Sequence, residues 1–245
     1  MSAPAAAWRA SFIGRSRKGR CRAGNAGLDA ASGELIGFLD DDLLYADHVE
    51  TLVAELAAHT QCAAVYGLAF EIPTQVVSRD PFRYRECSPV LMHDQPFSRP
   101  ALGRRNYLPI QSVLFRREIY ERHGGFDPEL ENYEDWNLWV RYSLERDFGR
   151  VAKATSLYRV PADPREMLRR NGIRDQYYGK ALVRQAQLLA AAGQPPAPMH
   201  RSARPSTQVV SRLLVWLPPA RWLYAPARRL AALWRHRSAA QVVAR

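Results

Sequence analysis

Two kinds of hydrophobic pattern alternate along the chain. Residues 35–39 form a continuous apolar run of strand length that stops abruptly at Asp40-Asp41-Asp42. An apolar run without alternation suits a parallel strand covered on both faces, and the polar end of such a strand is where ligands commonly bind. A helical pattern follows over residues 48–58, with Val49, Leu52, Val53 and Leu56 on one stripe, Asp47 placed to cap it and Glu50 three positions later. Residues 63–70 read as a second buried strand. Upstream, a solvated basic loop over residues 15–20 leads into a short helix over residues 25–31 that Gly33 ends.

Downstream, residues 73–109 are rich in Pro, Arg and aromatics and read as loops with short strands. Residues 110–115 read as a strand, and residues 118–123 as a short helix closed by Gly124-Gly125. A helix opens at Glu134-Asp135 with Leu138, Trp139 and Tyr142 at helical spacing, and residues 151–160 read as another strand. Asp163-Pro164 starts a long helix through Leu168, Ile173, Tyr177, Leu182 and Leu188 to Gly193. Helices returning to strands make an α/β fold. The expected division is a globular part over residues 1–163, a helix over 164–193, and a proline-rich linker with a basic amphipathic tail over 194–245.

Composition narrows the function classes. The chain has 245 residues, 47% of them hydrophobic and 24% charged, enough for one sizeable core. Its net charge of +11 is uneven. The last acidic residue is Asp175, and 11 of the 35 Lys and Arg lie beyond it. A high pI ordinarily suggests nucleic acid, but the middle of the chain shows no basic helix, zinc-finger spacing or aromatic ribonucleoprotein stretch. An anionic membrane surface fits the tail better, where Trp216, Trp222, Tyr224 and Trp234 are interspersed with arginines. Packing of that tail against the globular part is the alternative. Cys21, Cys62 and Cys87 are widely spaced and odd in number, which argues against a disulfide scaffold and a structural zinc site and favours a cytosolic setting. No run reaches the 18 or more apolar residues of a spanning helix.

Three adjacent carboxylates repel one another, so Asp40-Asp41-Asp42 calls for a cation or for hydrogen bonds. In an extended conformation Asp40 and Asp42 point to one side and Asp41 to the other. A divalent cation with hard oxygen ligands, Mg²⁺ or Mn²⁺, fits them; a turn and capping cluster fits as well. Glu134-Asp135 at a helix start has the same two readings, capping by the helix dipole or a general base. Trp139 reads as a core anchor, while Trp136 is a candidate wall of a sugar pocket. His93 lies in a variable loop, either at the surface or approaching an acceptor.

These segments together resemble family 2 glycosyltransferases, nucleotide-sugar enzymes of GT-A fold. The resemblance rests on Gly24-Asn25-Ala26-Gly27-Leu28 followed by the segment ending in Asp40-Asp41-Asp42, then Asn106-Tyr107-Leu108-Pro109, Gly124-Gly125-Phe126-Asp127, and Glu134-Asp135-Trp136-Asn137-Leu138-Trp139 with Arg141. It covers roughly residues 8–162 and implies an incomplete, Rossmann-like GT-A fold with a mixed, mostly parallel sheet flanked by helices and a helical C-terminal tail. It implies Asp40 near the ribose or the metal, Asp42 as ligand of Mg²⁺ or Mn²⁺ bridging the diphosphate, Asp135 as catalytic base and Glu134 as its positioning neighbour. Asn25 and Arg22 are candidate nucleotide contacts. The expected partners are a nucleotide-diphosphate sugar and a glycan or lipid-linked acceptor, with inversion at the anomeric carbon and a cytoplasmic or peripheral membrane location. Processive members carry a Gln-x-x-Arg-Trp motif, whereas Arg221-Trp222 follows Pro218-Pro219, so single addition is expected. The first strand, turn, helix and acidic second strand that normally open such domains are not found before Trp8. A catalytically inactive or accessory relative is therefore the second expectation.

Overall fold

The computed structural model describes residues 19–193. The basic positions 15–18, the linker and the amphipathic tail lie outside the described residues. In chain order the elements are α1 (Arg20–Ala30), β1 (Leu35–Gly37), β2 (Leu43–Leu44), α2 (His48–Ala58), β3 (Ala64–Arg79), β4 (Phe82–Glu86), β5 (Leu91–His93), α3 (Arg99–Leu102), β6 (Val113–Arg116), α4 (Arg117–His123), α5 (Glu134–Tyr142), β7 (Phe148–Pro161) and α6 (Pro164–Ala191).

The longest buried apolar run makes the organising strand. One edge of β3 pairs in parallel with β7, from Ala64↔Phe148 to Thr74↔Pro161. Along its other side β6, β5 and β4 follow one another, all antiparallel. β1 extends the sheet beyond β6, and β2 closes it beyond β7, both antiparallel. The fold is thus α/β with a mixed sheet, its parallel character concentrated in the β3/β7 pair. α6 belongs to the same compact unit as this sheet.

Several local expectations change. The apolar run at residue 35 forms only the three-residue β1, which pairs antiparallel with β6, and Leu39 is exposed. The strand therefore ends before the acidic triplet, so no strand alternation sorts Asp40 and Asp42 from Asp41. α1 starts five residues earlier than expected and carries Arg20 out of the loop class into a helix. Asp47 makes no side-chain cap on α2; its carboxylate pairs with Lys153 instead. The α2 stripe narrows to His48, Leu52 and Leu56, leaving Val49 and Val53 exposed. The expected cap on α6 is present: Asp163 Oδ1 accepts from the amides of Arg165 and Glu166.

The main core lies between the sheet and α5. Phe115, Trp136, Leu138, Trp139 and Tyr142 have no exposed surface, and Phe115 meets both Trp139 and Tyr142 at ring distances of 5.9 and 5.3 Å. Of the cysteines, Cys21 and Cys62 are buried, and all three are free thiols.

The β3/β7 pair is packed so closely that a methyl group on Gly67 would overlap Thr155 Oγ1. Gly67→Ala is expected to lose ~1–3 kcal/mol of stability by overpacking, read by urea unfolding. Thr155 Oγ1 is buried and has no hydrogen-bond partner among the described residues, so Gly67→Ala/Thr155→Ala should recover part of that loss.

Candidate active site

Two glycine-bearing segments far apart in sequence lock together first. Asn25 of α1 donates from Nδ2 to the Phe126 carbonyl at 2.9 Å and accepts the Phe126 amide on Oδ1 at 2.7 Å. A side chain on Gly24 would collide with the Phe126 ring, and one on Gly125 with Asn25 itself. From the other side, Arg141 of α5 donates to the carbonyls of His123 and Gly125. These contacts explain the glycines of both motifs. They also reassign Asn25, whose amide is committed on both atoms to the 124–127 loop rather than left open for a nucleotide.

That lock aims α1 at the start of α5. The Arg20 guanidinium donates to Glu134 Oε1 at 3.1 Å, while Glu134 Oε2 is buried without a hydrogen-bond partner among the described residues. Asp135 accepts from Asn106 Nδ2 on Oδ2 at 2.8 Å and from the Trp136 amide on Oδ1 at 2.7 Å. Asn106 is itself fixed, accepting the Leu108 amide at 3.1 Å. Tyr133, immediately before this pair, has φ of 64°, the one non-glycine residue with positive φ among those described. Such backbone costs ~1–3 kcal/mol and persists where neighbours over-determine it. Here the Trp136 and Tyr178 rings lie 5.6 and 5.7 Å from the Tyr133 ring, and the Arg174 guanidinium sits 5.0 Å over it.

The acidic triplet arrives from the opposite side of the sheet order. β2 pairs with β7 through Leu43↔Leu157 and Leu44↔Ser156, so the register directs Asp42 toward Tyr158. Tyr158 is in turn the cross-strand partner of Glu71 on β3. Its hydroxyl donates to Glu71 Oε2 at 2.7 Å, and its oxygen lies 2.7 Å from His93 Nε2. His93 is therefore a β5 residue built into this network. Asp40 and Asp41 are exposed and Asp42 is half-buried.

Electrostatics tie the two sides together. Burial, followed by the charges of Asp41 and Asp40, pushes Asp42 up to about 6, against the nearby Arg170. Burial and then the charge of Asp135 push Glu134 up to about 7. Burial raises Asp135 as well, opposed by its Trp136 and Asn106 hydrogen bonds and by the charges of Arg174 and Arg20. Burial drives the Tyr158 phenol far above its ordinary value, and both Asp42 and Asp135 add to that against Arg174 and Arg170. Tyr158 thus senses both acidic groups, and Arg20 senses Glu134, Asp40 and Asp135 together.

Among the described residues, no three His, Cys, Asp or Glu side chains converge as a metal cage. A magnesium-like cation needs only one or two protein carboxylates when substrate phosphates and water complete its shell. Asp42, raised first by burial and then by its acidic neighbours, and Asp40 are the carboxylates that could make up that smaller oxygen set. Trp136 has no exposed surface; its indole N–H donates to the Leu102 carbonyl and its ring stacks on Tyr178. It therefore backs the site from the core and cannot line an open sugar pocket. Arg22 is exposed on α1. Arg20, Tyr158, Glu71, Arg170 and Arg174 escaped the sequence reading, because helix α1 and the β3/β7/β2 registers that gather them leave no local signature. Asn106 stood within a quoted motif that suggested no role for it.

Comparisons with known proteins agree on the chain's relationships. The model described as Glycosyl transferase family 2 matches residues 3–123, a segment that includes Asp40-Asp41-Asp42 and Asn106 and ends before Glu134-Asp135. A Bacillus subtilis (strain 168) protein, the uncharacterized glycosyltransferase YwdF, is 28% identical over 145 residues, which cover 57% of this chain and 50% of that protein. Among solved structures, S. aureus TarS 1-349 in complex with UDP aligns with a TM-score of 0.43 and 17% identity over 71% of this chain and 46% of that one. TarS 1-349 on its own aligns with a TM-score of 0.41 and 17% identity, over 70% and 49% of the two chains. The chain thus spans about half the length of the proteins it matches.

The acid pair generates a test by pH. Glu134 is raised from an ordinary 4.5 to about 7 in the folded chain, so its contribution to stability is present below pH 4.5 and is lost as pH rises through 7. Glu134→Gln, which stays uncharged, should remove that loss. The expected result is a stability difference, variant minus wild type, that grows in favour of the variant between pH 5 and 8 in urea unfolding; a difference flat with pH contradicts the assignment.

Proposed function

We propose, from the premise that this chain belongs to glycosyltransferase family 2, that it transfers a sugar from a nucleotide-diphosphate sugar to a hydroxyl of a glycan or lipid-linked acceptor. The transfer is inverting, metal-dependent and non-processive. The reading is supported by the β2/β7 register, which brings Asp42 to the position opposite Tyr158, and by the charges of Asp42 and Asp135, which both raise the Tyr158 phenol.

Asp42 and Asp40 hold the Mg²⁺ or Mn²⁺, which when bound offsets negative charge on the departing diphosphate. Asp135 removes the proton of the acceptor hydroxyl. Each of its oxygens accepts one hydrogen bond from the protein and keeps a lone pair for the acceptor. Its raised pKa makes it a stronger base than a solvent-exposed aspartate. Glu134, tied to Arg20, positions Asp135 and sets the charge beside it. Tyr158, kept protonated, donates its one hydroxyl proton to Glu71 Oε2. Inversion follows if acceptor and departing diphosphate occupy opposite sides of the sugar, a geometry that separate carboxylates for base and metal favour.

No helix among the described residues is long and apolar enough to cross a membrane. A cytoplasmic enzyme, peripheral to the membrane through its basic tail, is the setting we propose.

Calorimetry of the full chain with a panel of nucleoside diphosphates, with and without Mn²⁺, separates the roles. Asp42→Ala is expected to abolish the metal-assisted part of affinity. Asp135→Asn should leave donor affinity within about twofold and reduce turnover by ~10²–10⁴-fold. Equal loss of donor affinity in both variants would contradict the division, and a folded wild type binding none of the panel would make the chain a catalytically silent relative.

A further inference from the structure

The cations of α6 fall into two groups. Arg169 pairs with Glu166 at 2.6 Å, Lys180 with Glu129 at 3.6 Å, and Arg184 with Asp127 at 3.3 Å and with Glu129. Arg165, Arg170 and Arg174 form no ion pair among the described residues, and of these Arg170 and Arg174 share one face of the helix. They lie one turn apart, and the next position on the same face is Tyr178. Tyr178 stacks on Trp136 at 5.8 Å with an 18° interplanar angle, and it meets Tyr133 edge-on at 5.7 Å. That face of α6 is therefore fastened to the start of α5. Arg174 is carried directly over Tyr133, whose neighbours in sequence are Glu134 and Asp135. Arg170 sits one turn earlier on the same stripe.

We infer that Arg170 and Arg174, with Arg20, form a cationic wall that binds the phosphate groups of a nucleoside-diphosphate ligand, facing the carboxylates of Asp42 and Asp135. The inference rests on the nucleotide-sugar reading and deepens it by naming the residues that hold the ligand's negative charge.

Arg20 is paired with Glu134, but Arg170 and Arg174 stand one turn apart without an ion-pair partner among the described residues, which is unfavourable unless an anion joins them. The tension is visible at Arg170, which burial and then the charges of Arg174 and Arg20 hold below its ordinary value, partly offset by Tyr158 and Asp41. Arg170 acts in turn on Asp42, and Arg174 with Arg20 on Asp135, so the wall spans both sides of the site. Guanidinium is the group suited to this work: it stays charged at all relevant pH, and its planar fork matches two phosphate oxygens. A carboxylate ligand would suit one fork, whereas the two unpaired forks of Arg170 and Arg174 match an anion with several phosphate oxygens.

The test uses the full chain with UDP, GDP, the corresponding nucleosides and inorganic pyrophosphate as probes, in EDTA and in Mn²⁺. Arg170→Gln/Arg174→Gln should weaken diphosphate and pyrophosphate binding by about tenfold or more and flatten its dependence on ionic strength. Arg170→Lys/Arg174→Lys should recover part of the affinity. Arg85→Gln on β4 should change nothing. Wild-type affinity for nucleoside diphosphates in a folded double Gln variant would overturn the inference and leave the family reading standing. Absence of any nucleoside-diphosphate binding by the wild type would overturn both. If the double variant unfolds, the single substitution Arg170→Gln reads the same outcomes, with unchanged affinity overturning the inference.

Discussion

Two adjacent carboxyls, Glu134 and Asp135, stand at the start of a helix that is otherwise buried, and much of the site's architecture supports them there. Burial makes their negative charge costly, and the surrounding groups offset that cost in different ways. Arg20 donates to Glu134, Asn106 and the Trp136 amide donate to Asp135, and the helix start favours both. Each of those supports depends on a further contact. α1 is held by the Asn25 lock on Phe126, α5 by Arg141 on the glycine loop, and α6 by the stacking of Tyr178 on Trp136. The motifs scattered along the chain are therefore parts of one support.

The sheet performs the complementary task. The parallel β3/β7 pair sets Glu71 beside Tyr158, and the short β2 then brings the acidic triplet to the same tyrosine. In the proposed function the two halves divide the work, one holding the cation and the other supplying the base. Both halves carry carboxyls raised above their ordinary values. Burial is the first cause of both shifts and neighbouring carboxylates the second, and a bound cation would favour the charged forms.

Local chemistry was legible in the sequence, and long-range register was not. The start of α6 is readable because Asp163 and Pro164 cap and initiate it through groups within three residues. The α4 stop is readable because Gly124 takes a φ of 72° that favours glycine. Asp40, Asp42, Glu134 and Asp135 stand out in the sequence as carboxylates placed at the ends of apolar segments. Arg20 was misread because residues 15–20 look like a solvated basic loop until Glu134, more than a hundred positions away, supplies the partner. The structural partner of Asn25 was not visible in the sequence, since the backbone of Phe126 that its amide bonds lies far along the chain. Trp136 was left open because nothing in its neighbourhood reveals that Leu102 and Tyr178 bury it completely. The long β3 was foreshortened because its later residues become polar and exposed while pairing with β4.

The central claim is that Asp42 and the Glu134-Asp135 pair face one cleft able to hold a divalent cation. Carboxyl ¹³C NMR of the full chain titrated with Mn²⁺ tests it most directly, because a paramagnetic ion broadens only the carboxyls near where it binds. Substoichiometric Mn²⁺ should broaden Asp42 and Asp40 first and Glu134 and Asp135 with them, while Asp80 in the β3–β4 turn stays sharp. Broadening of Asp42 with Glu134 and Asp135 unaffected, or no preference among the carboxyls, would contradict it.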